Sequence, residues 1–253
     1  MIYDLQKASL WKRIAAWLFD SILVSILVVG VAFLLSTLVH YDRYSDGVND
    51  AYTRYETEYG VSFDVTQEEY LSWSEEQKLQ YDTAYEALLA DETAMYNYNM
   101  VVNLTMVIAS LSVLIAIALL EFVVPLFLKN GQTLGKKIFG LCLVRSDCVK
   151  INNLQLFART LLGKTAIETM LPVYIILMLF WGIIGLGGTI LLLALVLAEI
   201  ICLIATRRNA ALHDLLAGTA VVDRNSQTIF ETTEDLIECQ KRVHAERAAK
   251  QDY

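Results

Sequence analysis

Asp20, Glu121 and Glu199 each stand as the only charged residue of an apolar stretch, at 14–39, 100–128 and 188–206 respectively. A charged side chain at the centre of a bilayer costs ~2.5–3.5 kcal/mol even on insertion scales. Each acid must therefore be paired, protonated, solvated through a cavity or engaged with a ligand. With cytoplasmic boundaries at Ile14, Leu128 and Ala205, the acids lie six or seven residues inside, a common depth of ~9–10 Å. Asp214 follows the last stretch and folds back beneath them, while Lys12, Arg13, Arg207, Arg208 and His213 ring the same mouth. Arg13 precedes Asp20 by seven residues, which places both on one helical stripe. Such a cluster suits a proton relay or a proton-coupled cation site, because neighbouring acids raise one another's pKa and a bound cation lowers it. The competing reading is a static network in which Arg13, with Arg207 or Arg208, fixes Asp20 and Asp214 while Glu121 and Glu199 snorkel toward headgroups.

The elements that position these residues are membrane spans. The chain is 56% hydrophobic with a mean hydropathy of +0.46, against ~45–50% apolar in soluble domains, and the apolar residues form blocks instead of periodic faces. The block at 170–206 is too long for one span and is broken by Gly182 and by Gly185, Gly187 and Gly188. The reading is therefore an all-α integral membrane protein, a four-transmembrane-helix bundle with helices at 14–39, 100–128, 168–184 and 188–206. The first run is too long for the ~7–15-residue core of a signal peptide. Pro125 predicts a kink near the end of the second helix. Asn153 is read as the N-cap of an amphipathic interfacial helix, with Leu154, Leu156, Phe157, Leu161 and Leu162 toward lipid and Arg159 and Lys164 toward headgroups.

Basic residues cluster at Lys7, Lys12 and Arg13, between Lys129 and Lys164, and at Arg207 and Arg208, so by the positive-inside rule these regions and both termini are cytoplasmic. Residues 40–99 are the opposite case, with 14 Asp and Glu against Arg43, Arg54 and Lys78. They form an acidic extracytoplasmic insertion, and the formal charge of -8 is a property of this loop. Thr66 with Glu69 and Ser74 with Gln77 spell capping boxes that start two helices there. Ten of the 13 Tyr lie in the same loop, a surface able to meet cations, a cationic polymer or a partner protein, or to serve as a plain helical cap.

Cys142, Cys148, Cys202 and Cys239 all fall on the reducing side, so no disulfide is expected. Cys142 and Cys148 flank a hairpin turn at Ser146-Asp147, read as a small cytoplasmic β-hairpin; no zinc spacing accompanies them. Gly131-Gln-Thr-Leu-Gly135-Lys136-Lys137 departs from a phosphate-binding loop, with three residues between the glycines and Lys137 where Ser or Thr is needed. His40, His213 and His244 have no nucleophile or ligand pattern around them, so neither an enzyme nor a cofactor or metal is expected. No basic, aromatic-interleaved surface points to nucleic acid.

Three motifs remain: Lys12-Arg13 with Asp20; Gly131, Gln132, Thr133, Gly135 and Lys136; and Leu212-His213-Asp214 with Gly218 and Thr219. In this order the chain resembles the RDD family of bacterial membrane proteins over residues 8–222. The family is named for an arginine and two aspartates, which fall on Arg13, Asp20 and Asp214. The resemblance implies a multi-pass protein of the bacterial cell membrane, with ion or solute transport proposed for some members. The long first loop departs from the family pattern. Residues 8–39 and 100–222 thus form an RDD-like transmembrane domain, 40–99 the insertion and 223–253 a cytoplasmic tail with a helix from about Thr233. The expected function is proton-coupled transport of a monovalent cation or small solute, with Asp20, Glu121, Glu199 and Asp214 as the ion or proton site. Such a small bundle would act as a homo-oligomer or with a membrane partner. The alternative is a scaffold that binds partners through its acidic ectodomain.

Overall fold

The computed structural model describes residues 5–6, 8–128, 131–206 and 210–251. The order of elements is α1 (Leu10–Leu38), α2 (Tyr41–Tyr59), α3 (Gln67–Ser72), α4 (Glu75–Ala90), α5 (Glu92–Leu128), α6 (Leu134–Ile138), β1 (Leu141–Arg145), α7 (Asn153–Phe180), α8 (Leu186–Ala205), α9 (Leu212–Ala217), β2 (Thr219–Asp223) and α10 (Thr233–Gln251). Helices α1, α5, α7 and α8 are the four that are long and apolar enough to cross a membrane. Their apolar side chains stay largely exposed, as at Phe33, Phe127 and Phe180, which only a hydrocarbon surrounding makes favourable.

The chain divides into two compact units, residues 30–111 and the rest. In the smaller unit α2 packs on α4, burying Ala51, Leu88 and Ala94 against Tyr52, Tyr55 and Phe63. Both capping boxes are present. The Thr66 hydroxyl accepts from Glu69 N at 3.3 Å while Glu69 accepts from Thr66 N at 2.8 Å, and Ser74 and Gln77 do the same. Phe63, Tyr70, Trp73, Tyr81 and Tyr85 form one edge-to-face and stacked aromatic cluster, so much of the Tyr-rich composition is spent on packing.

Two spans begin earlier than the apolar runs imply. Helix α5 starts at Glu92 because Asp91 caps it, accepting from Thr93 N at 2.9 Å and Ala94 N at 3.1 Å. Helix α7 begins at Asn153 and runs unbroken to Phe180, so the stretch read as interfacial and the third span are one helix, which ends at Phe180 and not at 184. Its N-cap is Asn152, whose side chain accepts from Gln155 N at 2.7 Å. The glycine turn lies at 181–185; Gly187 and Gly188 already belong to α8.

Both α5 and α7 contain π-helical segments, Ala118–Val123 and Ala158–Met170, and the two pack on each other. The first stands just before Pro125, which has no N–H to return to Glu121, and so accounts for the irregularity predicted as a kink. In the second, the Thr165 and Thr169 hydroxyls donate to the carbonyls five residues back, at 2.8 and 3.0 Å.

The strand pairing differs from a local hairpin. β1 pairs antiparallel with β2, Leu141 opposite Asp223 and Arg145 opposite Thr219. The turn at Ser146-Asp147 does exist, closed by Arg145 N to Val149 O at 2.8 Å, but it returns the chain only to a single bridge between Val144 and Lys150. Leu141 and Leu143 face a core with Ala16 and Leu156, while Cys142 and Val144 face another with Val222. The sheet therefore ties the segment after α5 to the segment after α9.

Candidate functional site

Of the 29 residues of α1 only Ala16 and Asp20 are buried. The helix thus turns a carboxylate inward and leaves its hydrocarbon outside. Asp20 Oδ1 accepts from Gly135 N at 2.8 Å, and Oδ2 accepts from the Thr133 hydroxyl at 2.5 Å. Both donors belong to the start of α6, whose first turn has free N–H groups that a carboxylate satisfies. The motif around Gly131 now has a physical reading. Gln132 donates from Nε2 to Leu141 O at 2.6 Å and pins β1. Thr133 caps α6, accepting from Lys136 N at 3.3 Å, and gives its proton to Asp20. Gly135 leaves room for α1, since a Cβ there would run into the Ala16 carbonyl and the Asp20 carboxylate. Gly135→Ala should therefore part α1 from α6 and cost ~1–3 kcal/mol. A thermal-unfolding midpoint equal to wild type in detergent would contradict this packing.

The second centre is Asp214, fully buried on α9. Arg159 Nε donates to its Oδ1 at 2.8 Å, Arg13 reaches Oδ2 at 3.4 Å, and the Thr219 hydroxyl and Ala211 N complete the set at 3.3 and 3.4 Å. Burial raises a carboxyl pKa, but the Arg159 and Arg13 guanidiniums outweigh it and hold Asp214 well below the usual range. The left-handed turn at Gly218, φ +63°, then carries the chain from α9 straight into β2.

His213 is the hinge of this cluster. Arg159 also meets its Nε2 at 2.8 Å; a guanidinium only donates, so Nε2 accepts and the ring proton sits on Nδ1. That proton goes to Glu168 Oε2 at 2.6 Å, while Glu168 Oε1 accepts from His213 N at 2.7 Å. Burial and Arg159 lower the His213 pKa and keep the ring neutral. Glu199 accepts from the preceding backbone amide, Leu212 N, at 3.1 Å. Ligand atoms of Glu168, Glu199 and His213 lie within 4.8 Å of one another. With the Nε2 lone pair turned to Arg159 and a proton on Nδ1, the imidazole is a poor metal ligand. The oxygens are what remain for a hard cation or a proton.

These groups face a cavity of about 680 Å³ lined by α1, α6, α7, α8 and α9. Asp20, Arg13, Lys136, Arg159, Lys164, Glu168, Glu199 and His213 all reach it. Lys136 is pushed down to about 7 by burial and by Arg159 and Lys164. The described network thus brings Arg13, Lys136, Arg159 and Lys164 together with Asp20, Glu121, Glu168, Glu199 and Asp214.

The sequence-predicted residues are thus distributed differently from the expected mouth. Arg13 pairs with Asp214 and not with Asp20, though both share a stripe of α1. Glu121 is buried and takes Lys164 as its partner, away from the cavity lining. Lys12 reaches Asp223 on β2 at 2.5 Å, and Arg207 and Arg208 lie outside the described residues. Arg159 and Lys164 do not face headgroups: Arg159 is 4% exposed and both hold acids. Glu168 went unread. Its signal is the spacing of Arg159, Lys164 and Glu168, five then four residues, which a π-helical turn brings to one face and an α-helical reading scatters.

Four spanning helices around a buried charge network define the class, an all-α membrane protein. Within that class the chain belongs to the RDD family, whose model matches residues 7–218. No curated protein and no solved structure matched the chain.

Proposed function

We propose that this RDD protein is a proton-coupled transporter of a monovalent cation or small solute, seated in the bacterial cell membrane with both termini cytoplasmic and residues 40–99 outside. The observation that carries the reading is the Glu168–Glu199 pair beside neutral His213, at the wall of the cavity. Carboxylate oxygens of both residues lie within 4.8 Å of one another, close enough to hold one proton or one cation between them. Asp20, Glu121 and Asp214 have fixed donors and frame the site; Glu199, held by one backbone amide, is the acid free to exchange. Assembly as a homo-oligomer or with a membrane partner belongs to the same proposal.

The test is flux of Na⁺, K⁺ and Li⁺ in proteoliposomes with and without an imposed pH gradient. Wild type should move at least one of them in response to the gradient. Glu199→Gln should keep the folded yield, because its amide oxygen still accepts from Leu212 N, and lose about tenfold or more in rate. Gradient-driven flux unaltered in Glu199→Gln would remove Glu199 from the pathway; no flux of any cation in wild type would remove cation transport.

A further inference from the structure

Three of the four bases at the cavity have a carboxylate of their own. Arg13 and Arg159 share Asp214, and Lys164 holds Glu121. Lys136 is different: among the described residues no carboxylate lies within ion-pair distance of its Nζ, which meets only the Thr133 hydroxyl at 3.5 Å. Arg159 and Lys164 weigh more at this ammonium than Glu121 and Asp20 do, so the surroundings are positive on balance. Both Asp20 oxygens are already taken by Thr133 and Gly135. This end of the cavity holds a part-buried amine with no carboxylate partner among the described residues.

Part of the wall is apolar, made of Ile14 and Trp17 from α1 and Leu195, Val196 and Ile200 from α8. Trp17 and Val196 are 57% and 50% exposed, so the wall continues into the outer apolar faces of two spans. A hydrocarbon chain can enter it sideways without crossing water. The volume of about 680 Å³ equals that of roughly twenty waters at ~30 Å³ each. That admits a headgroup and the upper part of one chain.

We propose that the cavity binds a membrane phospholipid of net negative headgroup, its phosphate held by Lys136 and one acyl chain lying along Ile14, Trp17 and Val196. The phosphate restores to Lys136 the counter-charge the protein withholds, and the chain covers apolar wall that would otherwise hold water. The site lies at the Lys136 end of the cavity and does not use the Glu168–Glu199 pair, so it goes beyond cation transport and stands without it.

The experiment is native mass spectrometry and thermal unfolding of the full chain in a neutral detergent, titrated with phosphatidylglycerol, phosphatidylcholine or inorganic phosphate. Phosphatidylglycerol should give a one-to-one complex and raise the unfolding midpoint, with phosphatidylcholine about tenfold weaker and inorganic phosphate without effect. Lys136→Gln should weaken phosphatidylglycerol by about tenfold, Lys136→Arg should retain it, and Val196→Trp should weaken it by filling the chain wall. Glu199→Gln should bind as wild type. Equal binding of the two lipids, equal stabilisation by inorganic phosphate, or undiminished binding by Lys136→Gln would each overturn the proposal. Should Lys136→Gln fail to fold, the comparison of lipids on wild type and on Val196→Trp decides it alone.

Discussion

Asp214→Ala is expected to destabilise the larger unit by ~3–5 kcal/mol, the cost of breaking a buried ion pair by removing one partner. The carboxylate has no exposed surface and accepts from Arg159, Thr219 and Ala211 N while pairing with Arg13. Its removal leaves two guanidinium groups facing one another across the position it vacates. Arg159 would still donate to His213 Nε2, yet that contact spends no charge. The loss should appear as low membrane abundance and a strongly lowered unfolding midpoint in detergent. Asp214→Asn should be nearly as harmful, since its amide nitrogen would point a donor at a donor.

The pH dependence follows from the same geometry. Asp214 is depressed in the folded state, so its stabilisation is fully present above the unfolded carboxyl value of ~3.9 and is lost as pH falls toward the folded value. The gap between wild type and Asp214→Asn should therefore be constant from pH 7 down to about 5 and close on further acidification. A gap that widened in acid, or an Asp214→Ala protein as stable as wild type, would show that Arg159 and Arg13 do not depend on this acid.

What the sequence announced, and what it hid, divides along one line. Composition alone marks α1, α5 and α8, because a bilayer demands an unbroken apolar run, and it marks Asp20, Glu121 and Glu199 because each breaks such a run. The capping boxes at Thr66 and Ser74 are equally plain, since both partners lie within four residues. Partners far along the chain are not. Asp20 finds Thr133 and Gly135, β1 finds β2, and Arg13 finds Asp214 only through tertiary packing, and nothing in local spacing ranks Asp214 above Asp20 for Arg13. Helix α7 was misread for a different reason. Arg159 and Lys164 look like headgroup residues on α-helical spacing, and the π segment turns them inward. The inward face of Arg159 and Lys164 and the role of Glu168 are hidden together by that period.

Asp20→Asn separates the framing role from the transport role, and the expected result is loss of fold. As an acid Asp20 offers two acceptor oxygens to two donors, Gly135 N and the Thr133 hydroxyl. Asparagine offers one. If its oxygen keeps Gly135 N, its amide donates to Thr133, whose oxygen already accepts from Lys136 N, and the hydroxyl proton is then left without an acceptor in a residue 3% exposed. The variant also removes a negative charge that sustains the Lys136 ammonium. Together these should cost ~2–3 kcal/mol, seen as reduced folded yield and a lower unfolding midpoint, with the residual folded protein still carrying gradient-driven flux. Glu199→Gln should behave in the opposite sense, folded and without flux. An Asp20→Asn protein of normal yield and midpoint that has lost flux would move the exchanging carboxylate from Glu199 to α1. If both variants fold and transport normally, neither the frame nor the site is where the geometry puts it.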